Sequence, residues 1–319
     1  MSLLNISGKL NLAGKVQFSV GSLLTPGLYG WGDNYYYEMA QGNTNTLVYS
    51  APVIISNSNW VSISNGSSGG TFVKSDGSLW GCGYVLLNGV YTQVSTLVQI
   101  GSDTNWSSIA TGKNGSWFGI KTDDTCWAWG FNNGGELGLG DQSDRSSPTQ
   151  LLGSWKQIAP GQITFYGIKN DNTLWAWGDN YYGSSGIGTD QNSFSSPVQI
   201  PGSWKTVGSL FRGGYGIKTD GTLWSWGENF AGGLGLGFAN FPGFYPTYSS
   251  PVQVGSLTNW SYIVDNDSGS LALKTDNTMW TWGSNSVGQF GPIGVGIEIS
   301  SPIQIGSSSN WSKIDSNEF

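Results

Sequence analysis

Leu174-Trp175-Ala176-Trp177-Gly178 decides the fold of this chain, because the same stretch returns with small changes five more times. The other copies are Leu28-Tyr29-Gly30-Trp31-Gly32, Leu79-Trp80-Gly81-Cys82-Gly83, Cys126-Trp127-Ala128-Trp129-Gly130, Leu223-Trp224-Ser225-Trp226-Gly227 and Met279-Trp280-Thr281-Trp282-Gly283. Their closing glycines lie 47 to 56 residues apart. Self-similarity at that period marks a repeat architecture, in which one unit cannot bury its own apolar face and must stack on copies of itself.

Working outward, each unit carries an Asn-Trp or Ser-Trp pair, ending at Trp60, Trp106, Trp155, Trp204, Trp260 and Trp311. A Lys-x-Asp turn follows in five units, at Lys74, Lys121, Lys169, Lys218 and Lys274, always nine residues before the closing glycine. A proline element recurs at Pro52, Pro148, Pro197, Pro251 and Pro302, with Leu97 in its place in the second unit. Segments such as Phe118-Gly119-Ile120-Lys121 and Thr173-Leu174-Trp175-Ala176-Trp177 alternate large apolar residues with small or polar ones, the period of a half-buried strand. Between them sit Asp76-Gly77, Asp123-Asp124, Asp171-Asn172, Asp220-Gly221 and Asp276-Asn277, pairs that tolerate the positive φ of a tight hairpin turn. No window sustains a helical apolar period, and 50 glycines oppose one. The chain reads as all-β.

Short strands in units of about fifty residues suit the blades of a β-propeller, where radial repetition leaves only short, protected sheet edges. The repeat tryptophans then fill the wedges between blades. The first unit lacks its Asn-Trp strand, and the last stops just after Asn310-Trp311-Ser312-Lys313-Ile314. Pairing of that C-terminal strand with the segment near Phe18–Leu23 closes the ring. Six glycine anchors imply six blades, with seven as the alternative. The expected layout is an N-terminal extension over 1–15 and one propeller domain over 16–319.

The units resemble the regulator of chromosome condensation repeat, whose signature ends in Trp-Gly followed by Asn-x-x-Gly-Gln-Leu-Gly. Here that part reads Trp129-Gly130-Phe131-Asn132-Asn133-Gly134-Gly135-Glu136-Leu137-Gly138-Leu139-Gly140. It returns as Trp226-Gly227-Glu228-Asn229-Phe230-Ala231-Gly232-Gly233-Leu234-Gly235-Leu236-Gly237, and more loosely from Trp177 to Gly188. The resemblance implies a β-propeller. It covers about nine-tenths of the chain by the repeat spacing. The family's founding member is a nucleotide exchange factor for a nuclear GTPase and binds nucleosomes, whereas secreted bacterial members inhibit β-lactamase. The repeat histidines of the family are missing, since the chain has none, and six units stand where seven blades are usual. No residue of the exchange activity maps onto this sequence, so the resemblance implies a fold more strongly than a function.

Composition narrows the function. Charged residues make up 10% of the chain and the formal net charge is −7, which leaves no basic footprint for a phosphate backbone. No apolar run has the length of a membrane span, and Met1–Lys9 has neither the basic leader nor the apolar stretch of a secretory signal. Without histidine there is no Ser-His-Asp or Cys-His site and no imidazole ligand. Carboxylate pairs leave a glycosidase as a third-ranked reading. Five aspartates are already assigned to hairpin turns, and Asp33, Asp179 and Glu228 follow a Trp-Gly as turn caps. Glu136, Asp141 and Asp144 read either as a cation site or as a solvated loop. Cys82 and Cys126 stand at apolar positions of the repeat, as buried thiols or as a disulfide or metal pair. The expected protein is no enzyme and needs no cofactor.

Unit length varies in the connection from Trp-Gly to the proline element, fourteen residues from Gly83 to Leu97 and twenty-four from Gly227 to Pro251. Insertions confined to equivalent loops fall on one face of a ring, the usual face for binding. The longest loop carries Phe238, Phe241, Phe244, Tyr245 and Tyr248, either packed on the propeller or forming a contact patch. Tyr35, Tyr36 and Tyr37, with Tyr181 and Tyr182, extend that aromatic rim. Such rings suit stacking on sugars or anchoring a protein interface. An Asn-, Ser-, Gly- and Trp-rich chain with few charges and no export signal fits a bacteriophage virion protein, from a tail fibre, head fibre or capsid decoration. Its partners would be other virion proteins or a host-surface receptor or glycan, with homo-oligomerisation open. It would be assembled in the host cytoplasm and act outside it. The alternative is a cytoplasmic regulatory or inhibitory propeller with one protein partner.

Overall fold

The computed structural model describes residues 5–7, 28–33, 36–37, 40, 42, 48–66, 69–190, 192–237, 245–265, 269–286, 288, 290, 293–311 and 314. Strands dominate, with two single-turn 3-10 helices at Tyr181–Gly183 and Phe230–Gly232. The residues group into two compact units. One holds Met1–Phe131 and Asp144–Leu152, the other Asn132–Ser143 and Gly153–Ser316.

In the first unit, Asn5–Ser7 pairs in parallel with Leu28–Asp33, which pairs antiparallel with Val48–Ser56. A four-stranded antiparallel sheet follows, in the order Trp60–Asn65, Gly69–Lys74, Leu79–Leu87, Val90–Gln99. Next come Trp106–Thr111, Ser116–Lys121 and Thr125–Gly130, which lead into the long strand Arg145–Pro160. In the second unit, the end of that strand pairs with Thr164–Lys169, then Leu174–Gly178, then Phe194–Ile200. Two four-stranded sheets complete it: Trp204–Leu210 through Thr247–Gln253, and Trp260–Asp265 through Glu298–Gln304. This is the all-β meander the repeat spacing predicts. The seam expected at Phe18–Leu23 lies outside the described residues. Among the described residues Trp311 and Ile314 lie in no strand, and the last strand ends at Gln304.

The motif residues divide the work. Trp129, Trp177, Trp226 and Trp282, second in Trp-x-Trp, are buried. The indole N–H groups of Trp177, Trp226 and Trp282 donate to the backbone carbonyls of Glu136 (2.6 Å), Ser184 (3.0 Å) and Gly233 (2.9 Å), each in the loop of the preceding repeat. The Asn-Trp rings lie against their own sheet, over a residue two before the lysine. At Gly167 an added Cβ would come within 2.5 Å of the Trp155 ring, so only glycine lets that ring lie flat. The closing glycine has its own reason. Gly227 has φ +98, and a Cβ there would meet the Arg212 carbonyl oxygen at 2.3 Å. The ladder slips register at this point, as the strand bulges outward after the tryptophan.

The repeats are also linked through their backbones. The N–H groups of Trp106, Trp204, Trp260 and Trp311 donate to the carbonyls of Gly77, Asn172, Gly221 and Asn277, in the preceding repeat's aspartate turn. In these turns only the second residue has positive φ, for example Asn172 at 67° and Gly221 at 83°. The aspartate instead accepts hydrogen bonds. Asp171 Oδ1 takes the Thr173 N–H (3.0 Å) and hydroxyl (2.7 Å), and that hydroxyl takes the Trp175 indole N–H (2.8 Å). The same relay runs through Asp76, Asp123, Asp220 and Asp276.

The lysine of each Lys-x-Asp turn completes a clamp that its spacing did not reveal. Lys218 Nζ sits 3.6 Å from the Trp224 ring centroid and 5.2 Å from that of Trp204. Lys74, Lys121, Lys169 and Lys274 each lie between the equivalent two rings. A cation over an aromatic face contributes about 0.5–2 kcal/mol, depending on how dry the site is. The first Trp of Trp-x-Trp is thus held by a hydrogen bond at its edge and a cation over its face. Cys82 and Cys126 are buried thiols not joined in a disulfide, and burial pushes the Cys126 thiol well up.

Candidate binding site

The two ends of each sheet differ. One carries the aspartate turns, which are uniform. The other carries the loop between the first two strands and the connection after Trp-Gly, and these vary.

Four of those connections share one device. Asn132, Asn180, Asn229 and Asn285, two residues past the closing glycine, are completely buried. Asn180 Oδ1 accepts the Ser185 N–H (2.9 Å) and hydroxyl (2.6 Å), while its Nδ2 donates to the Thr189 carbonyl (3.1 Å). Asn132, Asn229 and Asn285 accept the equivalent N–H from Leu137, Leu234 and Phe290. One amide therefore staples each loop, which explains the Asn-x-x-Gly spacing.

The unit from Leu79 has no such asparagine, and its fourteen-residue connection folds differently. Leu79–Leu87 runs straight into Val90–Gln99 as a hairpin, turning at Asn88 (φ 50°) and Gly89 (φ 82°). Both turn residues are left-handed, which Asn-Gly accommodates. The longer strands carry Tyr84 and Tyr91 beyond the core. The Tyr91 ring stacks on Phe131 with centroids 4.8 Å apart and planes 17° from parallel, and lies 5.8 Å from Trp117. Its hydroxyl donates to the Gly115 carbonyl at 3.2 Å. Burial, helped by the Asp144 carboxylate, pushes that phenol up to about 12. It therefore stays a neutral donor through the neutral range.

Together these residues line a cleft of about 340 Å³, walled by Tyr84, Tyr91, Trp117 and Phe131 and by the loop Thr111–Gly115. Tyr84, Tyr91 and Phe131 are each 38% exposed. Tyr36, one of the residues expected on the aromatic rim, meets Tyr84 edge-on at 5.5 Å.

A second aromatic group stands at the corresponding end of the other unit. The Arg212 guanidinium lies 4.4 Å from the Tyr182 centroid and 5.1 Å from that of Phe211, and Nη1 donates to Glu228 Oε2 at 2.8 Å. Glu228, expected to cap a turn, is instead a nearly buried ion-pair partner, because the loop between Leu210 and Gly213 brings Arg212 over it. Phe230 lies 5.0 Å from Tyr245, and Tyr181 is 62% exposed.

The other expected rim residues divide as follows. Tyr35, Phe238, Phe241 and Phe244 lie outside the described residues. Tyr37 is half-buried with φ 66°, and Tyr248 packs against the core around Trp260. Asp179 accepts the Asn180 N–H as a turn cap (2.8 Å). Glu136 and Asp141 accept backbone N–H groups of their own loop, from Gly134 and Ser143. Among the described residues no three Cys, Asp or Glu side chains come together as a metal site.

The sequence did not single out Tyr84, Tyr91, Phe131 or Arg212. A signal existed for the first two: a shortened connection with Asn-Gly at its centre predicts a hairpin. Phe131 follows Trp-Gly where Asp or Glu stands in three other units.

Comparison with known proteins agrees with this architecture. Two family profiles, both described as the regulator of chromosome condensation (RCC1) repeat, match residues 123–162 and 266–289. No curated protein sequence matches the chain. Among solved structures, Prp20p from Saccharomyces cerevisiae superposes with a TM-score of 0.76 at 16% identity, over 88% of this chain and 73% of that one. Human WBSCR16 gives 0.72 at 18% identity, over 88% and 77%. Yeast RCC1 (Prp20), in its structure with Kap60, gives 0.75 at 17%, over 88% and 71%. Both matched segments contain the aspartate turn and the Trp-Gly of their repeat, whose packing is described above. Two stretches of the chain thus match the regulator of chromosome condensation repeat, and its fold is that of a β-propeller.

Proposed function

We propose that this chain is a non-enzymatic interaction module that binds through the variable loop end of its blades. The observation that carries this is the contrast between the two blade ends. The aspartate turns repeat one hydrogen-bonded arrangement, while the opposite loops diverge and expose aromatic rings in a preformed cleft. Concave aromatic surfaces with a few polar groups are the usual form of a binding site. Glu136, Asp141 and Asp179 accept backbone N–H groups of their own loops and Glu228 is held in an ion pair, which supports binding over hydrolysis.

The composition supports placing the module in a bacteriophage virion, as part of a tail fibre, head fibre or capsid decoration that contacts a neighbouring virion protein or a host-surface receptor. Few charges and many Asn, Ser, Thr and Gly residues suit a surface that works outside a cell. Mass spectrometry of purified particles tests this, and absence of the chain from them rejects it. A second reading has its own support: the similar propeller Prp20p has binding properties to Gsp1p and histones, which favours a cellular protein-binding role for this one. Affinity capture from the native cell, scored with and without the changes Tyr84→Ala and Arg212→Ala, separates the two. A single cellular protein lost from both variants supports regulation, and virion proteins support the first reading.

A further inference from the structure

We infer that the cleft between the Tyr84–Tyr91 hairpin and Phe131 is a subsite for a neutral saccharide. This rests on the reading of the chain as a binding module and names the ligand class for one of its surfaces.

Size is the first argument. A cleft of about 340 Å³ matches a small-ligand pocket rather than a protein–protein patch, which needs on the order of 800 Å² from each partner. Chemistry is the second. The C–H face of a pyranose is apolar and its rim is polar, so it needs an aromatic face with hydrogen-bonding groups beside it. The Tyr91–Phe131 stack and Tyr84 supply the faces, held in place by the Tyr91 hydroxyl bond to Gly115 and the Tyr36 edge contact. Rings fixed before binding lose little entropy when a ligand arrives. Thr111, Lys113, Asn114 and the backbone of Gly112 and Gly115 form the polar wall.

Charge is the third. Lys113 lines the cleft, and Asp144 lies close enough to raise the Tyr91 phenol. One charge of each sign gives no excess to attract a sialic or uronic acid, and a neutral sugar needs none. A protein side chain inserting here would favour a deeper, drier pocket than one whose three rings keep more than a third of their surface in water.

The test uses the full chain and an array of neutral oligosaccharides (gluco-, galacto-, manno- and N-acetylglucosamine-based tetramers), with sialylated and uronate tetramers as charged counterparts. Hits are measured by saturation-transfer NMR and by titration of tryptophan fluorescence. At least one neutral tetramer should bind, with contacts to aromatic protons. Tyr84→Ala and Phe131→Leu should weaken it by about tenfold or more, the loss expected on truncating an aromatic anchor. Tyr181→Ala, in the other unit, should leave it unchanged. Melting curves identify any variant that fails to fold, and Tyr84→Phe, which keeps the ring, should retain binding. Binding of none of the neutral tetramers overturns the inference, as does preference for the charged ones or indifference to both cleft variants. If no sugar binds but the cleft variants lose a captured protein, the saccharide subsite falls and the binding-module reading stands. If neither a sugar nor a protein depends on the cleft, both fall.

Discussion

Replacing Asn180 with alanine is the sharpest probe of how the variable loops are held. The side chain is fully buried, and its carbonyl oxygen accepts from Ser185 twice while its amide donates to Thr189. Alanine removes all of these at once and leaves the buried Ser185 N–H without its acceptor. An orphaned buried polar group costs about 1–3 kcal/mol. One such backbone group, the displaced hydroxyl and the lost donor bonds together give roughly 3 kcal/mol. With an unfolding entropy of about 2.1 cal/mol/K per residue, a chain of this size loses about 4–5 °C in midpoint if it unfolds as one unit. Stacked repeats can open locally, so amide exchange at Ser185 should also accelerate by more than the global change implies.

A second substitution fixes the mechanism. Asn180→Asp keeps the acceptor but puts a carboxylate at a fully buried position. It should destabilise more than alanine at neutral pH and recover in part on acidification, when the protonated acid can donate again. Calorimetry at two pH values together with exchange mass spectrometry reads both effects. Asn170→Ala, at an exposed site, should stay within about 0.5 kcal/mol of the parent. A midpoint for Asn180→Ala within about 1 °C of the parent, with unchanged exchange at Ser185, would falsify the staple.

Three further outcomes follow from the same contacts. Gly167→Ala forces the Trp155 ring off its strand, so it should cost about 1–3 kcal/mol and shift tryptophan emission, whereas Ala272→Gly at the equivalent site should cost about 1 kcal/mol or less. Arg212→Ala leaves the nearly buried Glu228 carboxylate without its partner and should destabilise by about 1–3 kcal/mol, while the double change with Glu228→Gln should restore part of it in a denaturation cycle. The five turn aspartates are held below their ordinary range, first by the Ser or Thr hydroxyl two residues on and then by its N–H. Because the folded value is depressed, their stabilisation is present above the unfolded aspartate value of about 3.9 and is lost as pH falls through the folded one. Acid unfolding followed by circular dichroism should therefore begin below about pH 4, and changing all five to Asn should flatten that acid limb.

The repeat could be read from one sequence because its packing is local and copied. Trp-x-Trp-Gly records a buried ring followed by a bulge that only glycine fits. Lys-x-Asp records a turn nine residues from that bulge. The strand character, the hairpins and the propeller class are all consequences of those spacings, since alternation along a strand and turn chemistry act over a few residues. The role of the lysines was not legible in the same way. Lys218 meets Trp204 and Trp224 from two different strands, and spacing says nothing about what lies over a ring. The same holds for the binding end. Tyr84 and Tyr91 come from two strands of one sheet and Phe131 from just past the end of a strand in the next, and only their juxtaposition makes a cleft. Glu228 looked like a turn cap until the preceding hairpin set Arg212 above it. Short-range chemistry fixes what each blade is. Which side chains of different strands share one space depends on how sheets stack, and that is decided in three dimensions.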